Sequence, residues 1–292
     1  MKFLKRAEKI FLEAYKYEKE YKKHNDFARI ATNILEDSSI HKYYNSGVIN
    51  EIFAHKSFPK QHYGLKNFSD TPFTLFRGER FILDMYFWRV SDTDIHSHHF
   101  TGAFKMLSGV QHQLEFVFKK KKKLFQFLEE GEVKLRSSKE LFSGDTQSIV
   151  LGDDFIHQTI HSDKIATVNL CLRTTTLPKL DLYSFLLSGY KVMNNPYNEM
   201  RLRKLSLIRT LPENQQLGTL AKYLETADLL TLINLFKGDQ FAANYFREEF
   251  KDVTKECIKR RFSKDYQKLK KFLETTSNHP KLHKKLKILI NE

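Results

Sequence analysis

Short apolar segments separated by small turn residues fill the chain from Phe73 to Arg173, and this pattern constrains the fold more than any other feature. Phe81–Val90, Thr101–Leu107 and Phe155–His161 are rich in aromatic and aliphatic residues, as is typical of strands buried in a barrel. About eight such strands predict a double-stranded β-helix, or jelly-roll, barrel. The mouth of such a barrel gathers inward-facing polar side chains.

Two histidines lie one residue apart in this segment, in the run Asp94-Ile95-His96-Ser97-His98-His99. Side chains alternate along a strand, so His96 and His98 point to the same face and can hold one cation through neutral imidazole nitrogens. A second hairpin that supplied one more histidine would complete a three-histidine metal site. The alternative is a pair of surface histidines beside a turn. His99 points away from His98, and we expect it to be structural.

This pattern resembles the cupin superfamily. The family's glycine-flanked H-x-H motif and its second motif, a turn glycine followed by a histidine, are matched in order by His96, His98, Gly109, Gly144, Gly152 and His157. The resemblance implies a metal site formed by His96, His98 and His157. His161, four residues after His157 and on the same strand face, is either a group beside the ligands or a replacement ligand.

The usual cupin glutamate, four or five residues after the second histidine, is missing, because Gly102 and Ala103 stand there. Three histidines without a carboxylate resemble the cysteine dioxygenase-like (thiol dioxygenase) branch. That resemblance implies Fe(II), with O2 and a small thiol as substrates, although another divalent metal stays open. Ala103 also replaces the cysteine that some members cross-link to a tyrosine.

The resembled branch aims an arginine from an early strand at the substrate carboxylate. Arg77 and Arg80 are the nearer candidates, with Arg89 as a third, and the alternative for each is a surface or structural salt bridge. Arg77, Arg80 and His161 are the candidate catalytic residues. Tyr86 and Trp88 share a strand face, where we expect core packing, with cavity lining as the alternative.

Helical periodicity flanks the β-rich segment on both sides. Apolar residues recur at three- and four-residue spacing within residues 1–37, and Val48–His55 is expected to add a helical turn or two, which places an N-terminal helical segment and connector at 1–72. The predicted barrel covers 73–176 and a helical region 177–292, so the fold class is α+β. The helical region at 177–292 is predicted from seven amphipathic segments: Tyr183–Leu187, Met200–Leu211, Leu217–Leu224, Ala227–Phe236, Phe241–Phe262, Tyr266–Leu273 and His283–Ile290. These helices cap the barrel, form a homodimer interface or make a separate domain.

The formal net charge of +14 is concentrated, since residues 251–292 hold 13 Lys and Arg against 5 Asp and Glu. A basic tail attracts nucleic acid or an anionic membrane surface, but a solvated helix face is the favoured interpretation. The run Lys119–Lys123 is expected at the exposed tip of a hairpin. Two cysteines form no disulfide framework, and no apolar run approaches the about 20 residues of a membrane span. We therefore expect a cytoplasmic protein with no membrane partner.

Three functions follow from these features. The favoured one is a metal-dependent cupin enzyme, a non-haem Fe(II) dioxygenase acting with O2 on a small thiol or carboxylate substrate. The second is a cupin enzyme of other chemistry, such as an isomerase. The third is a ligand-binding or regulatory protein whose basic helical region contacts nucleic acid or a protein partner.

Overall fold

The computed structural model describes residues 2–17, 24–61, 69–89, 93–125, 128–161, 166–175, 182–187, 189–193, 207–208, 210–227, 232, 250 and 252–263. The chain forms two compact units, the first comprising Met1–Lys123 with Leu128–Val192 and the second Leu124–Phe127 with Met193–Glu292. The mixed α+β class is confirmed, with a strand-rich barrel and flanking helices. The boundaries at residues 72 and 176 stay a prediction.

Three α-helices open the first unit: α1 (Lys2–Lys16), α2 (His24–Asp37) and α3 (Gly47–Ala54), with a 3₁₀ turn at Ile40–Tyr43. Their apolar positions at helical spacing are the buried ones, as the sequence predicts.

The start of α1 is capped from α3. The backbone N–H groups of Lys2 and Leu4 donate to the carboxylate of Glu51 at 2.9 and 3.2 Å. A helix has no internal acceptors for its first N–H groups, so this carboxylate satisfies donors that would otherwise depend on water.

Eleven strands follow in the described residues: β1 (Thr71–Arg77), β2 (Phe81–Trp88), β3 (His96–His98), β4 (Gly102–Ser108), β5 (Val110–Phe125), β6 (Leu128–Phe142), β7 (Thr146–Ile149), β8 (Gly152–His161), β9 (Thr167–Thr174), β10 (Tyr183–Leu186) and β11 (Tyr190–Met193). Five of them form a sheet in the order β1-β2-β9-β4-β7, and six form a closed barrel in the order β10-β11-β6-β5-β8-β3.

The five-stranded sheet has one apolar face and one mixed face. In β9, Leu170 and Leu172 pack in the same core as the helices, and Phe81 of β2 stacks on Phe27 of α2 at 4.5 Å between ring centroids. The intervening residues point to the opposite face, where Tyr86 and Cys171 join a second, aromatic-rich core. Strict alternation therefore sends every second residue of β2 and β9 toward the six-stranded barrel.

The hairpin of β5 and β6 is longer than predicted. Lys119–Lys123 lies inside β5 rather than at a tip, and Gly131 lies inside β6. Lys120 binds Glu129 across the two strands at 2.6 Å. A Cβ atom at Gly131 would lie 2.5 Å from the Lys119 carbonyl oxygen, so glycine permits close backbone approach here instead of a turn.

The predicted helix at Tyr183–Leu187 is wrong, because Tyr183–Leu186 forms β10. Ser184 lies opposite His96, and the Phe185 N–H donates to the Ile95 carbonyl oxygen at 2.8 Å. Pairing with the edge of β3 outweighs the local helical pattern, as often happens for short apolar segments.

The second unit contains helix α4 (Glu213–Thr226) and a helical stretch at 252–263, which agree with two of the predicted segments. Arg261 donates to the carbonyl oxygen of Ala227 at 2.8 Å, just past the end of α4, and Cys257 donates to that of Leu224 at 3.4 Å. The predicted helices at Tyr266–Leu273 and His283–Ile290, and most of those at Met200–Leu211 and Ala227–Phe236, lie outside the described residues.

Among the helices that the structure describes, none combines the length and the apolar character needed to cross a membrane.

Candidate metal centre

Strands β3 and β8 bring three histidines together. β3 contributes His96 and His98, and β8 contributes His157, which lies directly opposite His96 in the antiparallel register. The register shifts between His96 and His98, so that His98 lies opposite Gly152, whose positive φ of 68° suits glycine. The predicted same-face placement of His96 and His98 therefore survives a local irregularity in the partner strand.

The three imidazole rings are buried and mutually close. Their candidate ligand atoms all lie within 4.8 Å of one another, and the Nε2 atoms of His98 and His157 are 2.8 Å apart. Ring centroids of His96 lie 4.7 Å from His98 and 4.5 Å from His157. Small shifts of these rings suffice to place nitrogens about 2.0–2.2 Å from one central ion.

The electrostatic setting keeps the three rings uncharged. Burial lowers the pKa of His96 below its ordinary value of 6.5. Burial, followed by the neighbouring histidines, lowers the pKa of His98 and of His157 well below that value. At neutral pH these imidazoles therefore offer lone pairs instead of positive charge, which is the state that a metal ligand requires.

Hydrogen bonds to the Nδ1 atoms test whether the rings fit a metal. The Nδ1–H of His96 donates to the Asp94 carbonyl oxygen at 2.7 Å, which leaves Nε2 with a lone pair. Nδ1 of His157 contacts the Gln113 side-chain amide at 2.6 Å. Metal-binding histidines in proteins commonly donate their other ring N–H in the way that His96 does. At His157 the Gln113 amide nitrogen donates to Nδ1 instead, and rotation of that amide by half a turn gives His157 the same arrangement as His96. The histidines present therefore fit a divalent metal ion.

A cavity of about 30 Å³ adjoins the three rings, enclosed between the five-stranded sheet and strands β3, β5 and β8. Aromatic side chains form much of its wall: Tyr86, Trp88, Phe100 and Phe104. Tyr86 and Trp88 also pack in the aromatic-rich core, so the expected core packing and the alternative of cavity lining are both found. Its volume is enough for about two water-sized ligands. A larger depression of about 340 Å³ is lined by residues of α1 and α2, and another of about 320 Å³ is lined by residues of the second unit. None of the three histidines lines either of them.

A buried cation lies on β9 beside the histidines. Arg173 forms an ion pair with Asp84 at 2.8 Å and a hydrogen bond to the Tyr86 hydroxyl at 3.3 Å. Burial lowers the pKa of Arg173, but Tyr86 and Asp84 outweigh it and hold the guanidinium in its charged form. Arg173 in turn helps to lower the pKa of His98.

The neighbouring thiol is not a metal ligand in this setting. Burial raises the pKa of Cys171, which lines the cavity, to about 12. The thiolate is the form that binds metals, and it is not populated at neutral pH with such a pKa. The donor set of the described residues therefore consists of nitrogen atoms alone.

The candidate catalytic residues lie apart from the three histidines. Arg77 and Arg80 are exposed and do not line the cavity, and the same holds for Arg89. His161 is buried on β8, where its ring stacks on Trp88 with centroids 4.5 Å apart. His99 is half-buried against Phe100, and burial lowers its pKa to about 4.

Four polar residues near the site were not singled out from the sequence: Gln111, Gln113, Asn169 and Arg173. Each is a buried polar residue of β5 or β9 that follows or precedes an apolar residue in the strand. Because side chains alternate along a strand, these polar side chains lie on the face that is turned toward the site. Polar residues in register on the inward face of a buried strand are the signal that would have found them.

Comparison with known proteins adds little to this geometry. No family model matches the chain, and no curated protein matches it. Among solved structures, BH2720 from Bacillus halodurans matches with 12% identity and a TM-score of 0.28, over 45% of this chain and 80% of that one. TT1209 from Thermus thermophilus matches with 14% identity and a TM-score of 0.25, over 40% of this chain and 90% of that one. Similarities of this size carry no argument about fold or function.

Proposed function

We propose that this chain is a metal-dependent cupin enzyme, a non-haem Fe(II) dioxygenase that acts on a small thiol or carboxylate. The observation that carries the proposal is the convergence of three buried, neutral imidazoles on one enclosed cavity, with their ligand atoms within 4.8 Å. A closed six-stranded barrel facing a five-stranded sheet supports a jelly roll of the cupin type.

The choice of metal rests on the donor set. Imidazole nitrogens suit iron, zinc, copper and nickel, and three neutral ligands leave the full charge of a divalent ion in place. Bound by His96, His98 and His157, Fe(II) would supply the open coordination positions and the electrons that activation of O2 requires.

The protein's own contribution is enclosure and orientation. The aromatic walls formed by Tyr86, Trp88 and Phe100 keep bulk water away from the histidines. A cavity of about 30 Å³ is far below the several hundred Å³ usual for larger organic ligands. This size favours O2 and the smallest thiols or carboxylates over bulky substrates.

The proposed catalytic residues have different positions with respect to this cavity. His161 is proposed to act through Trp88, on which it stacks, by fixing that wall of the cavity. Arg77 and Arg80 are proposed to attract a substrate carboxylate from the surface. Replacing either arginine by alanine should then raise KM and leave kcat unchanged.

The test is metal-dependent O2 consumption. The protein is purified without oxygen, loaded with Fe(II), and supplied with cysteine, other small thiols and small carboxylic acids while O2 uptake is followed. We expect uptake with at least one substrate, its loss in His98→Ala, and its retention in His112→Ala, where an exposed histidine of β5 is removed. Bound iron without uptake on any thiol removes the thiol substrates. Bound iron without uptake on any compound favours the ligand-binding alternative.

A further inference from the structure

A chain of buried side-chain amides runs from β9 to the third histidine. The Nδ2 of Asn169 donates to the Oε1 of Gln111 at 2.9 Å, and the Nε2 of Gln111 donates to the Oε1 of Gln113 at 3.1 Å. The Nε2 of Gln113 then donates to the Nδ1 of His157 at 2.6 Å. Asn169 is 5% exposed and both glutamines are 0% exposed. Burying three carboxamides is costly unless their hydrogen bonds are made, so this chain is a built feature of the site.

The direction of the chain decides which nitrogen of His157 carries the proton. Because Gln113 donates to Nδ1, the hydrogen of the neutral ring is on Nε2. The Nε2 of His157 lies 2.8 Å from the Nε2 of His98 and donates its hydrogen to it. In this arrangement the hydrogen bond between the two histidines occupies both of the lone pairs that a metal would need.

A reversal of all three amides gives the opposite tautomer with the same shape. Rotation of a carboxamide by half a turn exchanges its oxygen and its nitrogen. His157 Nδ1–H then donates to Gln113, Gln113 to Gln111, and Gln111 to the Oδ1 of Asn169. Within the described part of the chain, that Oδ1 is buried and has no hydrogen-bond partner. In the reversed chain this oxygen accepts from Gln111, the Nδ2 of Asn169 takes the place without a partner, and the Nε2 lone pairs of His157 and His98 become available.

We propose that Gln113, Gln111 and Asn169 form an amide relay that switches the tautomer of His157 when a metal binds. In the metal-free state the relay supports the hydrogen bond between His157 and His98. In the metal-bound state it runs in reverse and holds Nδ1–H, so that Nε2 faces the ion. The three amides are positioning residues, and the inference rests on the metal site of the proposed function but not on its dioxygenase chemistry.

A matched pair of substitutions separates tautomer control from packing. Gln113→Met keeps the volume of the side chain and removes its hydrogen bonds. Gln113→Glu supplies a carboxylate, which only accepts and therefore favours Nδ1–H in His157. His112→Ala is the control, since it removes the adjacent residue, which is exposed on the other face of β5.

The measurement is Zn(II) affinity by competition with a chelator, with circular dichroism to establish folding. Loss of a hydrogen bond that orients a ligand commonly lowers metal affinity about 10–100-fold. We expect that loss in Gln113→Met, an affinity at or above that of the wild type in Gln113→Glu, and no change in His112→Ala. Equal affinities of Gln113→Met and wild type, or equal losses in Gln113→Met and Gln113→Glu, would overturn the relay.

A second measurement needs no variant and remains decisive if either substitution prevents folding. Nitrogen-15 NMR of the histidine rings, with and without Zn(II), reports which nitrogen of His157 is protonated. We expect Nε2–H without the metal and Nδ1–H with it. The same tautomer in both states contradicts the relay. Zn(II) binding with a tautomer switch but without O2 uptake by the iron form would sustain the relay and refute only the dioxygenase.

Discussion

His96 of β3 lies directly opposite His157 of β8, and their ring centroids are 4.5 Å apart. These two residues are distant in the sequence, and antiparallel pairing alone brings them side by side. The metal site is therefore a property of the strand register, because a slip of one residue would turn His157 to the other face of β8.

Acid should destabilise the metal-free protein through these histidines. Their pKa values are lowered in the folded state from the ordinary 6.5, so below pH 6.5 the unfolded chain binds more protons than the folded one. Each such histidine then removes up to about 1.4 kcal/mol of stability per pH unit as the pH falls from 6.5 toward its folded pKa. Urea unfolding between pH 8 and pH 5 measures this slope.

Replacement of one histidine identifies the source of the slope. His98→Asn should flatten the decline below pH 6.5, whereas His112→Ala should leave it unchanged. An identical slope in His98→Asn and wild type would show that the buried imidazoles do not govern the acid sensitivity.

The strands and the histidine pair could be predicted from the sequence because both depend on local alternation. His96, Ser97 and His98 obey the period of two, and the apolar runs of β2 and β9 are long enough to be unambiguous. The assignment of His157 to the site needed family resemblance as well, since local pattern does not contain the register.

The features that the sequence pattern did not predict depend on contacts between residues distant in the sequence. Tyr183–Leu186 has a helical pattern but pairs with β3, and the lysine run Lys119–Lys123 lies inside β5 instead of at a hairpin tip. Arg173 of β9, which is buried against Asp84, was not predicted from the sequence, and the role of Arg77 and Arg80 toward a substrate carboxylate stays a prediction. Only pairing between strands reveals that Arg173 lies beside Asp84.

The ion pair of Asp84 and Arg173 should be expensive to break. Asp84→Asn leaves a buried guanidinium without its carboxylate, and such losses cost about 3–5 kcal/mol. Glu132→Gln, which removes the exposed pair with Lys134, should change stability by less than about 1 kcal/mol. Urea unfolding compares the two variants.

The double variant Asp84→Leu with Arg173→Met completes this test. Removing both charges should restore most of the stability lost in Asp84→Asn, because no buried charge is left unpaired. A small loss in Asp84→Asn, comparable to that of Glu132→Gln, would mean that water reaches the guanidinium.

Two glycines should respond in opposite directions to alanine. At Gly131 the new methyl group would lie 2.5 Å from the Lys119 carbonyl oxygen and 2.6 Å from the Phe118 ring, which predicts a loss of about 1–3 kcal/mol. At Gly218, in α4, nothing lies within 4 Å, and helix propensity predicts a gain of about 0.5–1 kcal/mol. Thermal unfolding followed by circular dichroism separates the two, and a stabilising Gly131→Ala would contradict the close approach of β6 to β5.

The removal of Glu51 should weaken the start of α1. Glu51→Gln exchanges a carboxylate that accepts from the N–H groups of Lys2 and Leu4 for a neutral amide, at a cost of about 1 kcal/mol. Glu79→Gln, at an exposed position between β1 and β2, is the control. Equal unfolding midpoints for the two variants would show that the cap contributes nothing.

The most direct test of the metal centre is the metal content of the purified protein after anaerobic incubation with Fe(II) and removal of the excess. We expect one iron ion per chain in the wild type and in His112→Ala, and little or none in His96→Ala, His98→Ala and His157→Ala, all of them folded by circular dichroism. X-ray absorption of the wild-type protein should show imidazole nitrogens around the iron. Wild-type protein that retains no metal, or histidine variants that retain as much as the wild type, would contradict the assignment.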